Sequence, residues 1–320
     1  MPTTLHWFKW EAYWTWLSGF SLFMLIYWGQ ASTYLIDPAV LDLPVWLAIG
    51  LSLAMIAGGW VAYDLLCRRL ANEKILLLAG AGLLVVMVMI ATHLFSGRGA
   101  FILIGAITGT LMVANVAMVI IPAQKKMVKA IAAGLPLDPK YGEWGRQRSV
   151  HNTYLTLPVL FLMISPHYPM LYQHRFNWLV LLLMALAGAL IRQFFVLRHL
   201  GRSNWVLPAG GILALGLLVL LAVPRADPRF ATSEVPAFAE IQTIAASHCA
   251  QCHAARPSFE GISAAPKGVM LETPAQLRRW AAAMRQQVQT EAMPPGNLTE
   301  MSDAARGKII AWVTAGAPVD

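Results

Sequence analysis

The sequence predicts an all-α protein: a polytopic bundle of about seven membrane-crossing helices, followed by a small soluble helical module. Three observations predict it. The chain of 320 residues is 58% hydrophobic and only 12% charged, with a mean hydropathy of +0.57, far outside the range of soluble proteins. Its first two thirds alternate apolar stretches with short basic loops. Beyond Pro224 the composition turns polar.

Crossing about 30 Å of hydrocarbon takes about 20 helical residues. Stretches that meet this length lie near 13–31, 45–66, 74–94, 99–121, 149–165, 176–199 and 204–223. The fifth is the shortest and carries His151, Asn152 and Pro158. The start of the chain holds Trp7, Trp10, Trp14 and Trp16 but no small-residue cleavage site, so export is expected to rely on the membrane segments themselves. The run Ala123 to Ala133, with Met127, Val128, Ile131 and three lysines, reads either as an amphipathic helix on anionic lipid or as a solvated extension of the fourth span. Pro-Arg-Ala-Asp-Pro-Arg opens a breaker-rich linker. The expected domains are 1–223 in the membrane, a linker at 224–235 and a module at 236–320.

A net charge of +8 raises the question of nucleic acid, but the basic residues sit in short loops between apolar stretches, where membrane topology explains them. One set of loops holds Arg68, Arg69, Lys74, Lys125, Lys126, Lys129, Lys140, Arg146, Arg148 and Arg202. The alternate set holds only Arg98 and Arg175, with Asp37 and Asp42. Basic loops stay in the cytoplasm, so the N-terminus is expected inside and the C-terminal module outside.

Within that module stands Cys249-Ala250-Gln251-Cys252-His253. At C-x-x-C-H spacing two thiols on one turn add to the vinyl groups of a haem while the adjacent imidazole reaches the iron. A redox dithiol and a zinc site are the competing readings. The first opens a helix after a strand, and the second needs another ligand pair. Covalent haem c is therefore expected on Cys249 and Cys252, with His253 as one axial iron ligand. In bacteria such attachment belongs to the outer compartment, in agreement with the loop charges. Met293, in Ala292-Met293-Pro294-Pro295, is the expected second ligand, ahead of Met270, Met284 and Met301. A thioether ligand raises the reduction potential. A helix over 236–252 and a last helix capped by Ser302 complete the reading. The pattern resembles a small class I cytochrome c domain. Cys67 is left over and reads as a packing residue.

Polar residues within spans are costly and point to function. Asp64, Asn115, His151, Asn152, Arg192 and Gln193 all fall toward the cytoplasmic side, and His93 toward the outer side. These residues also carry a resemblance. His6 to Tyr13, Tyr34 to Pro38, Tyr63 to Cys67, Met112 to Val116, Val119 to Pro122 and Arg146 to Pro158 are similar to the membrane-bound, cytochrome-linked urate hydroxylases of the urate oxidase N-terminal family. Phe259 to Gly261, Pro266 to Leu271 and Ala292 to Pro294 extend it through the module. Members of that family carry a further histidine-bearing apolar helix ahead of the segment matching Met1, so this chain is expected to be short by that helix.

The resemblance implies an oxidoreductase of purine degradation in the bacterial inner membrane. It would oxidise urate to 5-hydroxyisourate, with electrons passing to cytochrome c and on to a periplasmic acceptor or terminal oxidase. Urate is a planar anion, for which Arg148, Arg192, Asn115 and Asn152 are the candidate partners and His151 the candidate base. About 30 Å of membrane would separate a cytoplasmic substrate from an outer haem. Either a haem b within the membrane domain relays electrons, or the substrate binds on the outer face. The alternative function is a membrane-tethered c-type cytochrome, fed by quinol or by another dehydrogenase, with no substrate site of its own.

Overall fold

The computed structural model describes residues 6–223, 227–232 and 234–319. Of the expected linker, positions 224–226 and 233 lie outside the described residues, as do positions 1–5. The described residues are helical without a strand, apart from an isolated bridge between Asp37 and Leu41. The chain divides into two compact units, Met1–Leu221 and Ala222–Asp320.

In the first unit, α1 covers His6–Phe23, α2 Val45–Arg69, α3 Glu73–Leu94, α4 Gly97–Ala114, α5 Ile121–Ala132, α6 Pro139–Ile164, α7 Asn177–His199 and α8 Val206–Ala222. Local chemistry sets several starts. Asn72 Oδ1 accepts the amides of Lys74 and Ile75 to cap α3, and Ser96 Oγ accepts that of Gly99 to cap α4. Asp138 caps α6 ahead of Pro139, whose missing N–H costs nothing there.

Six of the seven expected spans fall on one of these helices, and the first, 13–31, covers the end of α1 and the π segment Met24–Trp28 that continues it. Four of them are long and apolar enough to cross a membrane: Val45–Arg69, Glu73–Leu94, Gly97–Ala132 and Asn177–His199. Two of the other three differ for physical reasons: α6 carries a polar stripe on one face, and α8 has only 17 residues. Large apolar side chains face outward, with Trp46 74% exposed and Leu77 and Leu78 each 73%. Surface of that kind needs an apolar surround. The basic run after the fourth span is a direct continuation of α4, joined to α5 through a π segment, Asn115–Ile120, into one 36-residue helix. The run thus continues the fourth span as helix, as the extension reading expects.

Gly97 shows how closely the first unit packs at one end. A Cβ there would stand 2.0 Å from the carbonyl oxygen of Tyr172, so only glycine admits this approach. Ser96 Oγ donates to the Tyr34 carbonyl at 2.7 Å, pinning the loop after α1 to the same corner.

The second unit is built from α9 Phe238–His248, α10 Pro274–Gln289 and α11 Asp303–Thr314. Thr273 and Gln276 form a reciprocal capping box at α10, and Ser302 caps α11 as expected from the sequence. The helix expected over 236–252 ends instead at His248, and the C-x-x-C-H segment follows as turns, with the amide of His253 bonded to the Cys249 carbonyl at 2.8 Å. Ile241, Leu277, Ile309 and Trp312 are almost fully buried and form the centre of the core. Trp312 Nε1 donates to the Pro318 carbonyl at 2.7 Å, which satisfies its polar end and folds the chain end back on α11.

Candidate functional site

Two helices of the first unit each carry polar groups on a single stripe. Trp60, Tyr63, Asp64 and Cys67 follow i, i+3, i+4, i+7 spacing on α2; Arg148, His151 and Asn152 follow i, i+3, i+4 on α6. Between them stands Asn115, where α4 passes into its π segment. Such single-turn widenings are frequent at functional sites because they re-aim side chains. Here Asn152 Nδ2 donates to the carbonyl of Met112 at 2.9 Å, in the turn just before the widening.

The cluster is linked throughout by hydrogen bonds. Arg148 is 3% exposed; its Nη2 donates to Asp64 Oδ1 at 2.7 Å and its Nη1 to Asn115 Oδ1 at 3.2 Å. Asn115, with no exposure, donates from Nδ2 to Asn152 Oδ1 at 2.8 Å and to Tyr63 Oη at 3.1 Å. Tyr63 Oη lies 2.8 Å from His151 Nδ1, and Cys67 Sγ lies 3.9 Å from the same nitrogen. The guanidinium of Arg148 also sits 4.9 Å from the centre of the Tyr63 ring. Burying a charged pair is costly unless further hydrogen bonds offset it, and here Asn115 accepts from the guanidinium that pairs with Asp64.

Charge does not cancel. Asp64 accepts from Arg148 and, through its other oxygen, from the exposed Arg68 at 2.6 Å, so two guanidinium groups face one carboxylate. The cluster carries one excess positive charge. With Asn115 donating to the phenol oxygen, the Tyr63 O–H can donate to the lone pair of His151 Nδ1. The phenol oxygen can instead accept a second bond from an Nδ1–H, which frees the lone pair of Nε2. His151 therefore has two tautomers, each with a satisfied partner.

Of the membrane-domain residues expected from the sequence, Asn115, Arg148, His151 and Asn152 come together, with Asp64. Arg192 does not join them by a hydrogen bond: it lies on α7 with its Nε buried and without a partner, beside Gln193, which accepts from the Tyr154 hydroxyl. Arg148 is no loop charge but a buried helical residue, because α6 starts at Pro139. Cys67, read as packing, stands at the edge of the cluster. Tyr63 and Trp60 were not singled out, although their spacing with Asp64 and Cys67 marks the stripe. His93 ends α3 exposed, with Nδ1 2.8 Å from the Met89 carbonyl. At 1.5 Å per residue, α3 sets His93 about 30 Å from the α2–α3 turn near the cluster, so His93 and His151 do not fit as the two ligands of one haem b.

In the second unit the donor set suits a covalent haem. Cys249 and Cys252 are free thiols one turn apart. His253 Nδ1 is 3.0 Å from the Val269 carbonyl, which holds the ring and leaves Nε2 for iron. Burial pushes the Cys249 thiol up to about 11, reinforced by Cys252 and opposed by Arg306, and burial raises Cys252 as well. Both thiols are thus neutral near pH 7, and conversion to thioethers would bury no charge. Among the methionines, Met284 and Met301 are 6% and 2% exposed in the core, Met270 is 37% exposed, and Met293 is half-buried on the loop after α10. Among the described residues no three His, Cys, Asp or Glu side chains converge as a site for a lone metal ion.

Residues 1–223 match the family described as urate oxidase N-terminal. No curated protein and no solved structure matches the chain.

Proposed function

The chain belongs to the urate oxidase N-terminal family, and from that premise we propose that it is a membrane-bound urate hydroxylase that delivers electrons to a haem c on its own C-terminal unit. The family match over residues 1–223 carries the urate assignment. The C-x-x-C-H segment, with free thiols and a carbonyl-held imidazole, supports the electron acceptor. The four apolar helices and the loop charges support a multi-pass protein of a bacterial inner membrane, with the N-terminus inside and the haem unit on the periplasmic side.

The reaction is urate plus water to 5-hydroxyisourate, two protons and two electrons. Bound through Cys249 and Cys252 and ligated by His253 and Met293, the haem would supply one-electron acceptance at a potential raised by the thioether. With the cluster on the cytoplasmic side, about 30 Å of membrane from that haem, electrons would reach it through a haem b held in the membrane domain, and this chain's residues bind the substrate and take its proton. The excess positive charge around Asp64 attracts the urate anion. Arg192 offers an unpaired donor one helix away, whereas the amides of Asn115 and Asn152 are engaged within the cluster and hold its shape. His151 takes a proton at Nε2 while its Nδ1–H is held by Tyr63, and Asn115 and Arg148 fix the phenol in place.

Anaerobic urate added to purified full-length protein should reduce the haem without forming hydrogen peroxide. His151→Ala should then slow turnover, while Arg192→Ala should raise the urate requirement and leave the haem spectrum unchanged. A haem that stays oxidised under saturating urate but is reduced by quinol would replace this reading with that of a tethered electron carrier.

A further inference from the structure

The loop between α10 and α11 holds two methionines, Met293 and Met301, and one arginine from α11 governs both. Arg306 is 3% exposed. Its Nη1 donates to the Met293 carbonyl at 2.8 Å and to the Val288 carbonyl at 3.3 Å; its Nη2 donates to Asn297 Oδ1 at 2.9 Å. Asn297 then holds Met301 from both sides, accepting its amide at 3.0 Å and donating to its carbonyl at 3.3 Å. A single guanidinium thus ties the end of α10, the backbone of Met293 and, through Asn297, the backbone of Met301.

This placement is costly. The cation is buried, and it stands in the first turn of α11, where the helix dipole disfavours positive charge. Three hydrogen bonds to uncharged oxygens offset that cost. Their effect is to separate the two sulfurs: Met301 is drawn into the apolar core, and Met293 stays half-buried with its carbonyl anchored.

We propose that Arg306 is a positioning residue that presents Met293 as the thioether ligand of the haem iron and withholds Met301 from that role. This rests on the covalent-haem reading above, and one set of measurements separates the two. Full-length protein is purified as wild type, Arg306→Lys, Arg306→Gln and Asn297→Gly. The glycine variant removes the same network from its other end, at a position whose φ of 51° glycine adopts without strain. Haem retained on denaturation, the sulfur-to-iron absorption band, the midpoint potential and cyanide binding to ferric protein are then recorded. All variants should retain covalent haem at the wild-type level. Arg306→Gln and Asn297→Gly should lose or weaken the band, lower the potential and bind cyanide at least about tenfold more tightly. Arg306→Lys, which keeps a donor to the Met293 carbonyl, should fall between. Covalent haem with an unchanged band and potential in both Arg306→Gln and Asn297→Gly overturns the role of Arg306 alone. Wild-type protein that loses its haem on denaturation overturns both readings.

Discussion

Asp64 is the residue on which the first-unit cluster turns, because it is the acceptor for two arginines of very different exposure. Removing one partner of a buried pair costs about 3–5 kcal/mol, since the other charge is left desolvated. Asp64→Ala should approach the lower end of that range, about 3 kcal/mol, because Arg68 already brings solvent to one side. Loss of thermal stability in detergent, with the haem spectrum intact, would register it; a change under about 1 kcal/mol would mean that Arg148 finds another partner. Tyr63→Phe is the complementary change: it keeps the ring under Arg148 but removes the partner of His151 Nδ1. Turnover with urate should fall while the midpoint potential stays put, and equal turnover would remove Tyr63 from the proton path. In the second unit, Met293→Ala should abolish the sulfur-to-iron band, whereas Met284→Ala should leave the band and lower stability by about 2–5 kcal/mol, as for any truncation in a packed core.

Helices and turns carry a second kind of constraint, where one element is held against another at a point. Gly307 on α11 lies under the turn Pro228–Phe230, and a Cβ there would come within 2.7 Å of the Phe230 carbonyl oxygen. Gly307→Ala should therefore displace that turn and cost about 1–3 kcal/mol, read as a lower denaturation midpoint of the C-terminal unit. The same turn is tied by Arg229, which pairs with Asp227 at 2.8 Å and with Glu291 at 3.2 Å. The Arg229 side chain holds the Asp227 carboxyl below its ordinary value. A depressed carboxyl contributes stability that is present above the ordinary value of about 4 and is lost as the pH falls through the lower, folded-state value. The pair is exposed, so the contribution is at most about 1 kcal/mol. Asp227→Asn should flatten this acid limb of the stability profile, and an unchanged limb would assign it to other carboxylates.

At the scale of the whole molecule, the proposal joins an apolar helical unit to a polar one across a linker, and membrane orientation is what makes the pairing work. A reporter fused after Asp320 should be active only outside the cytoplasm, and one inserted near Lys129 only inside. The opposite pattern would place the haem unit where covalent attachment does not occur, and would end the electron route. The same orientation is what the basic residues on one set of loops lead one to expect, a feature that depends on charge alone and not on packing. Arg148, expected among those loop charges, is instead buried on α6; without it the asymmetry stands on Arg68, Arg69, Lys74, Lys125, Lys126, Lys129, Lys140, Arg146 and Arg202.

Apolar runs, caps and a five-residue motif are local, and what they determine could be read directly from the chain. The helices at Val45–Arg69, Glu73–Leu94 and Asn177–His199 and the Ser302 cap all follow from residue type and spacing, and the proposed haem attachment rests on the spacing of the motif alone. Depth along the spans likewise brought Asp64, Asn115, His151 and Asn152 to one level, because helical rise is uniform. Direction around a helix is another matter, since it depends on which neighbour each face meets. Only the tertiary structure leaves Arg192 outside the hydrogen-bonded cluster, turns Cys67 and Tyr63 toward His151, and buries Arg148 against Asp64. Only it joins Arg306 to Met293 and Asn297, since hydrogen bonds that link a helix to the loop before it have no period in the sequence. Rise and composition are properties of a segment and survive in its sequence; the partner of a buried charge is a property of the fold.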